Sequence, residues 1–289
     1  MDLSGHTADN RLPVFARKPA PAQIAWLGYC DTTGMKAMDC RFTDAYADPP
    51  GATEHLHTER LIRLPDTFAC FRPLEDSPAV GPLPVLARRY VTFASFHTLA
   101  KLDGCILDCW AQILLQVPDS RLRMVASGLG EASRQQWLRE FFKGRGIGAH
   151  RLELQGRQSL SRYLALHNEA DLLLDSFPFT GHTVACHGLW MGVPVVTLAG
   201  DRHCTRMVTS VLANLGLQEL IARTPGEYVK IASDLAGNLP RLAELRSTLR
   251  ERMAASPLMD APRFARHVEQ AYREMWRGWC AGESAPLRT

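Results

Sequence analysis

Residues 177–199, FPFTGHTVACHGLWMGVPVVTLA, are the most informative stretch of the chain. They predict a Pro/Gly turn, a short helix that opens at Gly181-His182-Thr183, and an apolar strand over 193–198. A helix N-terminus presents unpaired backbone N–H groups and a partial positive charge, so it suits a phosphate. The alternative is a βαβ unit whose turn binds nothing. Spacing alone slightly favours this alternative, because helices commonly begin with Gly or Thr.

Strand and helix patterns alternate on both sides of this stretch. This alternation predicts a parallel sheet with helices on both faces, as in Rossmann-like domains. Nucleotides bind such sheets at the carboxyl ends of the strands, where the turn at 181–183 would lie. The predicted strands are 90–96, 121–126, 151–154 and 171–175, and the predicted helices are 103–116, 133–143, 159–168 and 205–215.

The residues before this alternating region predict a separate unit with short strands at 23–27, 40–43 and 61–64. Residues 72–84 are rich in Pro and acidic side chains, which is typical of a linker. We therefore expect three parts, which are an N-terminal lobe over 1–71, a linker over 72–84 and a second lobe over 85–289.

The end of the second lobe has a helical pattern of its own. Residues 263–279, RFARHVEQAYREMWRGW, carry apolar side chains at Phe264, Val268, Tyr272 and Trp276. This spacing places the four side chains on one face of a helix. We expect that face to pack on the core.

Composition excludes several classes of protein. Hydrophobic residues make up 46% of the chain, charged residues 22%, and the net charge is +3, which is too small to indicate a nucleic-acid partner. The first twenty residues contain no apolar segment of a signal peptide, and no apolar run is long enough to span a membrane. The eight cysteines show neither a C-x-x-C pair nor zinc spacing. These patterns predict a cytoplasmic location and no membrane partner.

Several long blocks of the chain, in the same order, resemble the O-linked N-acetylglucosamine (O-GlcNAc) transferases. These enzymes transfer GlcNAc from UDP-GlcNAc to Ser and Thr of proteins. Besides residues 177–199, the blocks are DLSGHTADNRLPVFARKPAPAQIAWLGYCDTTGMKAMDCRFTD (2–44), FASFHTLAKLD (93–103), GDRHCTRMVTSVLANLGLQELIA (200–222) and SPLMDAPRFARHVEQAYREMW (256–276).

The resemblance implies an α/β fold of the glycosyltransferase B type, in which two Rossmann-like lobes face each other across a cleft. The start of the chain is similar to a loop inside the N-terminal lobe of that family, so we expect that lobe to be only partly present. Members of the family carry tetratricopeptide repeats upstream, whereas this chain shows no 34-residue repeat. The resemblance therefore implies a truncated bacterial-type member of a longer enzyme.

The resemblance also implies a set of nucleotide-binding residues. Lys101 matches a lysine that contacts the diphosphate and stabilises the departing UDP, and we expect it to be catalytic together with His182. Gly181, His182 and Thr183 match the phosphate-binding turn, where Gly would allow close approach of the backbone to the ligand. Thr98 stands where relatives have Gln or Asn, and its shorter side chain can still form a hydrogen bond.

His187 departs from the family, which usually has an acidic residue here to hold the ribose hydroxyls. A carboxylate accepts two hydroxyl hydrogen bonds and a neutral imidazole accepts one, so we expect weaker donor binding or a changed donor. The basic or imidazole side chains that animal enzymes carry nearby are also missing. Their positions fall near Leu160 and Tyr163.

The sugar pocket of the family is matched by Thr7, Leu27 and Gly28 in the N-terminal region. The following turn has Cys30-Asp31 where the family commonly has Pro-Gly. Since Gly adopts positive φ at low cost and Asp less readily, this departure predicts an altered loop backbone.

These residues together predict an inverting protein O-glycosyltransferase. The donor substrate would be UDP-GlcNAc, the acceptor a Ser or Thr of a protein or peptide, and no metal or other cofactor is expected, because no Asp-x-Asp pair follows a predicted strand. Two alternatives remain. One is a GDP-fucose-dependent protein O-fucosyltransferase, and the other is a non-catalytic remnant that binds a nucleotide or a partner. The missing front of the N-terminal lobe and His187 lead us to expect poor activity of this chain alone.

Overall fold

The computed structural model describes residues 1–282, which form two parallel sheets joined by helices. The first sheet has the order β1-β2-β3 and the second has the order β6-β5-β4-β7-β8-β9. The strands are β1 (Ile24–Ala25), β2 (Cys40–Asp44), β3 (Arg60–Leu64), β4 (Thr92–Ser95), β5 (Arg121–Val125), β6 (Leu152–Gln155), β7 (Leu172–Leu174), β8 (Val195–Leu198) and β9 (Ile221–Ala222).

Helices cover the second sheet and dominate the last third of the chain. Their bounds are α1 (Leu12–Ala16), α2 (Val85–Arg88), α3 (Gly104–Gln116), α4 (Ala132–Lys143), α5 (Leu160–His167), α6 (His182–Trp190), α7 (Met207–Asn214), α8 (Pro225–Gly237), α9 (Leu239–Ala254) and α10 (Ala261–Cys280). The predicted alternation of strands and helices is confirmed. Most predicted elements are one to three residues longer at their ends than the observed ones.

Two predicted boundaries were wrong for local reasons. The first strand was expected over 23–27 and is only two residues long, because Leu27 adopts a positive φ of 68° that ends extended pairing. The helix expected from 205 begins at Met207, because residues His203–Thr205 form a separate 3₁₀ turn.

The strand order of the second sheet creates a switch point between β4 and β7. From β4 the chain progresses outward through β5 and β6, then returns to place β7 on the other side of β4. The loops that follow β4 and β7 therefore leave the sheet in opposite directions at its carboxyl edge. In α/β proteins this is where ligands bind.

The core of the second sheet is large and apolar. It includes the fully buried side chains of Trp110 on α3, Phe93 on β4 and Phe142 on α4. At about 25 cal/mol per Å² of buried apolar surface, these aromatic residues are among the strongest contributors to stability. This packing provides a rigid support for the loops at the carboxyl edge.

The last helix packs on the first sheet rather than the second. Ala271 and Met275 of α10 share a buried cluster with Phe42 of β2 and Ile24 of β1, and the Trp26 ring stacks on Phe264 at 5.8 Å. The helix expected over 263–279 is present, and Phe264 and Val268 pack against this cluster. The expectation that the whole apolar face packs on the core was wrong, because Tyr272 and Trp276 are 39% and 53% exposed. The packed residues hold the end of the chain against its beginning.

Candidate functional site

The loop after β4 carries Lys101 across the switch point. Residues Leu99–Lys101 form a 3₁₀ turn, and the Lys101 ammonium donates a hydrogen bond to the Thr180 carbonyl oxygen at 3.1 Å. The same nitrogen lies 3.9 Å from the centre of the Phe179 ring. Burial lowers the pKa of Lys101, while the nearby Asp175 carboxylate opposes this effect. Lys101 therefore places a half-buried cation beside the turn that precedes α6.

Thr98 and Thr183 are exposed residues on the two sides of the switch point, after β4 and after β7. Thr98 precedes the 3₁₀ turn, and its carbonyl oxygen accepts the Lys101 backbone N–H at 3.0 Å. Thr183 is the second residue of α6. Both side chains are exposed, so both hydroxyls are accessible to a ligand.

Gly181 immediately precedes α6 and is required for packing. A Cβ atom at this position would lie 2.1 Å from Cε1 of His97, so no larger residue fits without displacing that ring. The Gly181 N–H donates to Asp175 Oδ1 at 2.9 Å. The family resemblance implied that Gly181 lets the backbone approach a ligand. In the structure, its small size is needed for His97 and its own N–H already has a partner.

His182 begins α6 with an imidazole nitrogen that lacks a partner. Nε2 is buried and forms no hydrogen bond within residues 1–282. Burial, with a smaller contribution from His203, lowers the pKa of His182 to about 4, so the ring is neutral near pH 7. Its ring packs on Phe68 with the centroids 5.1 Å apart. An unsatisfied buried nitrogen costs free energy, and a ligand that reached this atom would remove that cost.

His187 lies one turn further along α6 and pairs with a residue that no motif indicated. Its Nδ1 is 3.1 Å from the hydroxyl of Tyr163 on α5, and Phe71 contacts the ring edge-on at 5.9 Å. Burial lowers the pKa of His187 and raises that of Tyr163. Tyr163 falls where the sequence comparison found a missing basic or imidazole group. The two departures from the family are therefore in contact.

The residues predicted for the sugar pocket lie in two loops of the N-terminal region, with Thr7 before α1 and with Leu27 and Gly28 after β1. Gly28 packs so closely that a Cβ there would lie 1.6 Å from the Leu3 carbonyl oxygen. The Thr7 hydroxyl donates to the Ser4 carbonyl oxygen at 2.8 Å, and Leu27 is 47% exposed. The close approach to Leu3 requires glycine at position 28, whatever the loop binds.

The turn that carries Cys30 and Asp31 contacts the second sheet's loops. Cys30 and Phe179 pack against the same buried cluster, which includes Phe68 and Met207, and the Cys204 thiol lies 3.9 Å from Asp31 Oδ2. Asp31 does not adopt positive φ, and the positive values on either side belong to Leu27 and Gly34. Asp31 therefore carries no positive-φ strain, and the loop turns at other residues. The altered loop backbone relative to the family stays a prediction.

A buried polar cluster joins the two sheets next to the site. His203 Nδ1 and Asp48 Oδ2 are 2.7 Å apart, and His57 Nε2 is 3.3 Å from the other oxygen of Asp48. The His203 ring also packs edge-on against Phe68 at 4.9 Å, and Phe68 in turn contacts His182. No sequence motif indicated this cluster, because its main pair is separated by 155 residues.

An apolar cavity of about 530 Å³ opens on the other side of the Lys101 turn. It lies between that turn and the first half of α4, away from His182 and His187. Its lining residues are Leu99, Ala100, Leu102, Leu107, Ser133, Arg134, Trp137 and Leu138.

Residues 1–282 contain neither a membrane-spanning helix nor a group of metal-binding side chains. Among residues 1–282, no helix is both long and apolar enough to cross a membrane. Within the same range, no three His, Cys, Asp or Glu side chains are grouped so that they could hold a metal ion.

Two features define the class of this protein. They are the strand order of the second sheet, and the cation of Lys101 beside the start of α6 at the switch point. Glycosyltransferases of the two-lobe B type have these features. The model of glycosyl transferase family 41 matches residues 1–71 and 84–268, and the chain belongs to this family.

Individual relatives agree with this assignment. The chain is 41% identical over 289 residues to the probable UDP-N-acetylglucosamine–peptide N-acetylglucosaminyltransferase SPINDLY of Petunia hybrida, covering 100% of this chain and 31% of the relative. It therefore spans about a third of the length of the curated relatives it matches.

Solved structures give the same picture. A mutant of the Thermobaculum terrenum O-GlcNAc transferase matches with a TM-score of 0.91 and 40% identity, over 98% of this chain and 53% of that one. The glycosyltransferase WaaG, involved in lipopolysaccharide biosynthesis, matches with a TM-score of 0.51 and 12% identity, over 91% of this chain and 84% of its own. The similarity to WaaG shows the fold alone.

Proposed function

We propose that the chain belongs to an inverting protein O-GlcNAc transferase and forms its binding site for UDP-GlcNAc. The proposal rests on one observation. Lys101, the start of α6 and the unpartnered nitrogen of His182 all lie at the switch point. The names of the relatives from Petunia hybrida and Thermobaculum terrenum support the same activity.

The main electrostatic task in this reaction is to stabilise the departing UDP. As the acceptor hydroxyl of Ser or Thr attacks the anomeric carbon, the bond to the diphosphate breaks and negative charge develops on it. Lys101 and the backbone N–H groups at the start of α6 would stabilise that charge. Because attack occurs on the face opposite the leaving group, the configuration inverts without a covalent intermediate.

His182 would bind the donor through its free nitrogen. The neutral ring has one nitrogen that donates and one that accepts, so it can bond to a phosphate oxygen or to a sugar hydroxyl. A pKa of about 4 makes it a weak base near pH 7. We therefore assign donor binding to His182, and we assign the deprotonation of the acceptor to no residue of this chain.

His187 and Tyr163 would hold the ribose in place of the usual carboxylate. If the Tyr163 hydroxyl donates to His187 Nδ1, the proton of the imidazole is on Nε2, and that N–H can donate to a ribose oxygen. The pair would thus donate one hydrogen bond where a carboxylate accepts two. This difference supports the expectation of weaker donor binding.

The alternatives differ in their support. The relatives named above carry UDP-N-acetylglucosamine or O-GlcNAc in their names, and neither name supports a fucosyl donor. A non-catalytic remnant would keep the fold without a working donor site. The absence of a metal requirement and the cytoplasmic location stay predictions from the sequence.

The donor is tested by the thermal stability of the purified chain with UDP, UDP-GlcNAc, GDP or GDP-fucose. A ligand at a hundredfold excess over its Kd stabilises the folded state by about 2.7 kcal/mol. We expect a rise of about 5 °C in Tm with both UDP compounds and none with the GDP compounds. A shift with GDP compounds alone would contradict the donor assignment, and no shift from a cooperatively melting protein would indicate the remnant.

A further inference from the structure

Asp175 is a buried carboxylate at the carboxyl end of β7 that the proposed chemistry does not use. It is 1% exposed. Its Oδ1 accepts the backbone N–H groups of Ser176 and Gly181, both at 2.9 Å, and its Oδ2 accepts the Thr197 hydroxyl at 2.6 Å. One side chain therefore closes both ends of the turn from 176 to 181.

This turn connects β7 to the proposed phosphate-binding residues. Gly181 is the last residue before α6, so its position sets where His182 and Thr183 lie. Lys101 donates to the Thr180 carbonyl oxygen within the same turn, and its pKa responds to the Asp175 charge. The carboxylate thus contacts the turn before α6 and affects the pKa of Lys101, and it does both without facing the ligand.

His97 completes the support from the other side of the switch point. Its Nε2 is 3.3 Å from Asp175 Oδ1, and its ring fills the space beside Gly181. Burial, with the nearby Lys101 charge, lowers the pKa of His97 to about 3, so the ring that lies against the carboxylate is neutral near pH 7. Thr197 on β8 holds the second oxygen, so Asp175 is fixed from two sides.

We infer that Asp175 is a positioning residue for the donor site, whose hydrogen bonds to Ser176 and Gly181 hold the start of α6 in the geometry that binds the diphosphate. The inference rests on the proposed function. A purely structural carboxylate is the alternative, and the same strand supplies one for comparison. Asp171, just before β7, accepts the backbone N–H groups of Val85 and Thr92 at 2.8 Å, at the opposite edge of the sheet.

The test compares Asp175→Ala with Asp175→Asn and with the matched control Asp171→Ala. UDP affinity is measured by calorimetry and stability by Tm. We expect Asp175→Ala to weaken UDP binding about tenfold or more. We expect Asp175→Asn, whose amide oxygen still accepts both N–H groups, to stay within about threefold of wild type. Asp171→Ala should lower Tm and leave the UDP affinity within about twofold. Wild-type affinity in Asp175→Ala, or an equal loss in Asp175→Asn, would overturn the inference.

A second variant and a second measurement keep the inference testable if Asp175→Ala does not fold. Thr197→Val removes one hydrogen bond to the carboxylate at a buried position on β8. We expect it to weaken UDP binding about threefold and to speed hydrogen exchange of the backbone N–H groups at 176–183. Unchanged affinity and exchange would overturn the inference. If wild type does not bind UDP, the proposed function fails, and the exchange at 176–183 alone decides whether Asp175 holds the turn.

Discussion

Lys101 is the residue whose charge the proposed chemistry requires most directly. Replacing it by methionine keeps an unbranched side chain of similar length and removes the cation that lies 3.9 Å from the centre of the Phe179 ring. A hydrogen bond to a charged group contributes about 1.5–3 kcal/mol, so Lys101→Met should weaken UDP binding by about 10- to 150-fold. Calorimetric titration of the purified variant measures this change.

Lys230 provides the control for charge alone. It is an exposed lysine on α8 that pairs with Asp234. Lys230→Met alters the net charge equally and should leave UDP affinity within about twofold of wild type. An equal loss in both variants would contradict a specific role for Lys101.

His187 allows the proposed ribose contact to be tested by restoring the family's usual chemistry. His187→Glu introduces a carboxylate that accepts two hydroxyl hydrogen bonds, and Tyr163 remains as a donor to it. We expect UDP to bind about tenfold more tightly, as measured by calorimetry. The exposed His150 provides the control, and His150→Glu should change nothing. Weaker binding in His187→Glu would contradict the placement of the ribose at this position.

The residues at the site differ in how well the sequence predicted them. Lys101 and residues 181–183 were found because they belong to continuous motifs. Asp175 was noticed only as the end of a strand, since its partners Gly181 and Thr197 are known only once strands are adjacent. Tyr163 was named only as a position where basic or imidazole groups of the family are missing, and its contact with His187 depends on how α5 and α6 pack.

At the scale of elements, the start of α6 depends on a glycine. Gly181→Ala would place a Cβ 2.1 Å from the His97 ring, and such overpacking costs about 1–3 kcal/mol. We expect a lower free energy of unfolding in denaturant titrations, together with weaker UDP binding because His182 and Thr183 would shift.

Gly104 provides a matched position at the start of another helix, α3. A Cβ there meets nothing within 4 Å. Gly104→Ala should therefore be neutral or stabilising by up to about 1 kcal/mol, with UDP affinity unchanged. Equal destabilisation of the two variants would mean that the contact with His97 is not the cause.

The elements themselves were well predicted where hydrophobic periodicity is strong. The strands and helices from β4 to α7 follow from that pattern, and the amphipathic α10 follows from its apolar stripe. The short helix α2 and the 3₁₀ turn before α7 were missed, because three or four residues are too few to show a period. The order of strands in the second sheet, and therefore the switch point, was not predicted, because no local pattern shows which strands lie side by side.

At the scale of the whole molecule, contacts between the two sheets place aromatic and polar groups beside the donor site. Phe68 lies between His182 and His203, and the buried Asp48–His203 pair fixes that arrangement. Helix α10 ties the first sheet to the end of the chain. The contacts of Phe68 and of the Asp48–His203 pair could not be predicted from the sequence, since each joins segments far apart in the chain.

The central claim is that a nucleotide sugar binds where the loops after β4 and β7 diverge. Hydrogen exchange of the chain with and without saturating UDP tests this location directly. We predict slower exchange in the segments 96–103 and 176–187, and unchanged exchange in α10 and in the first half of α4 beside the apolar cavity. Protection confined to α4 or to the first sheet, or no protection at a UDP concentration that stabilises the fold, would contradict the claim.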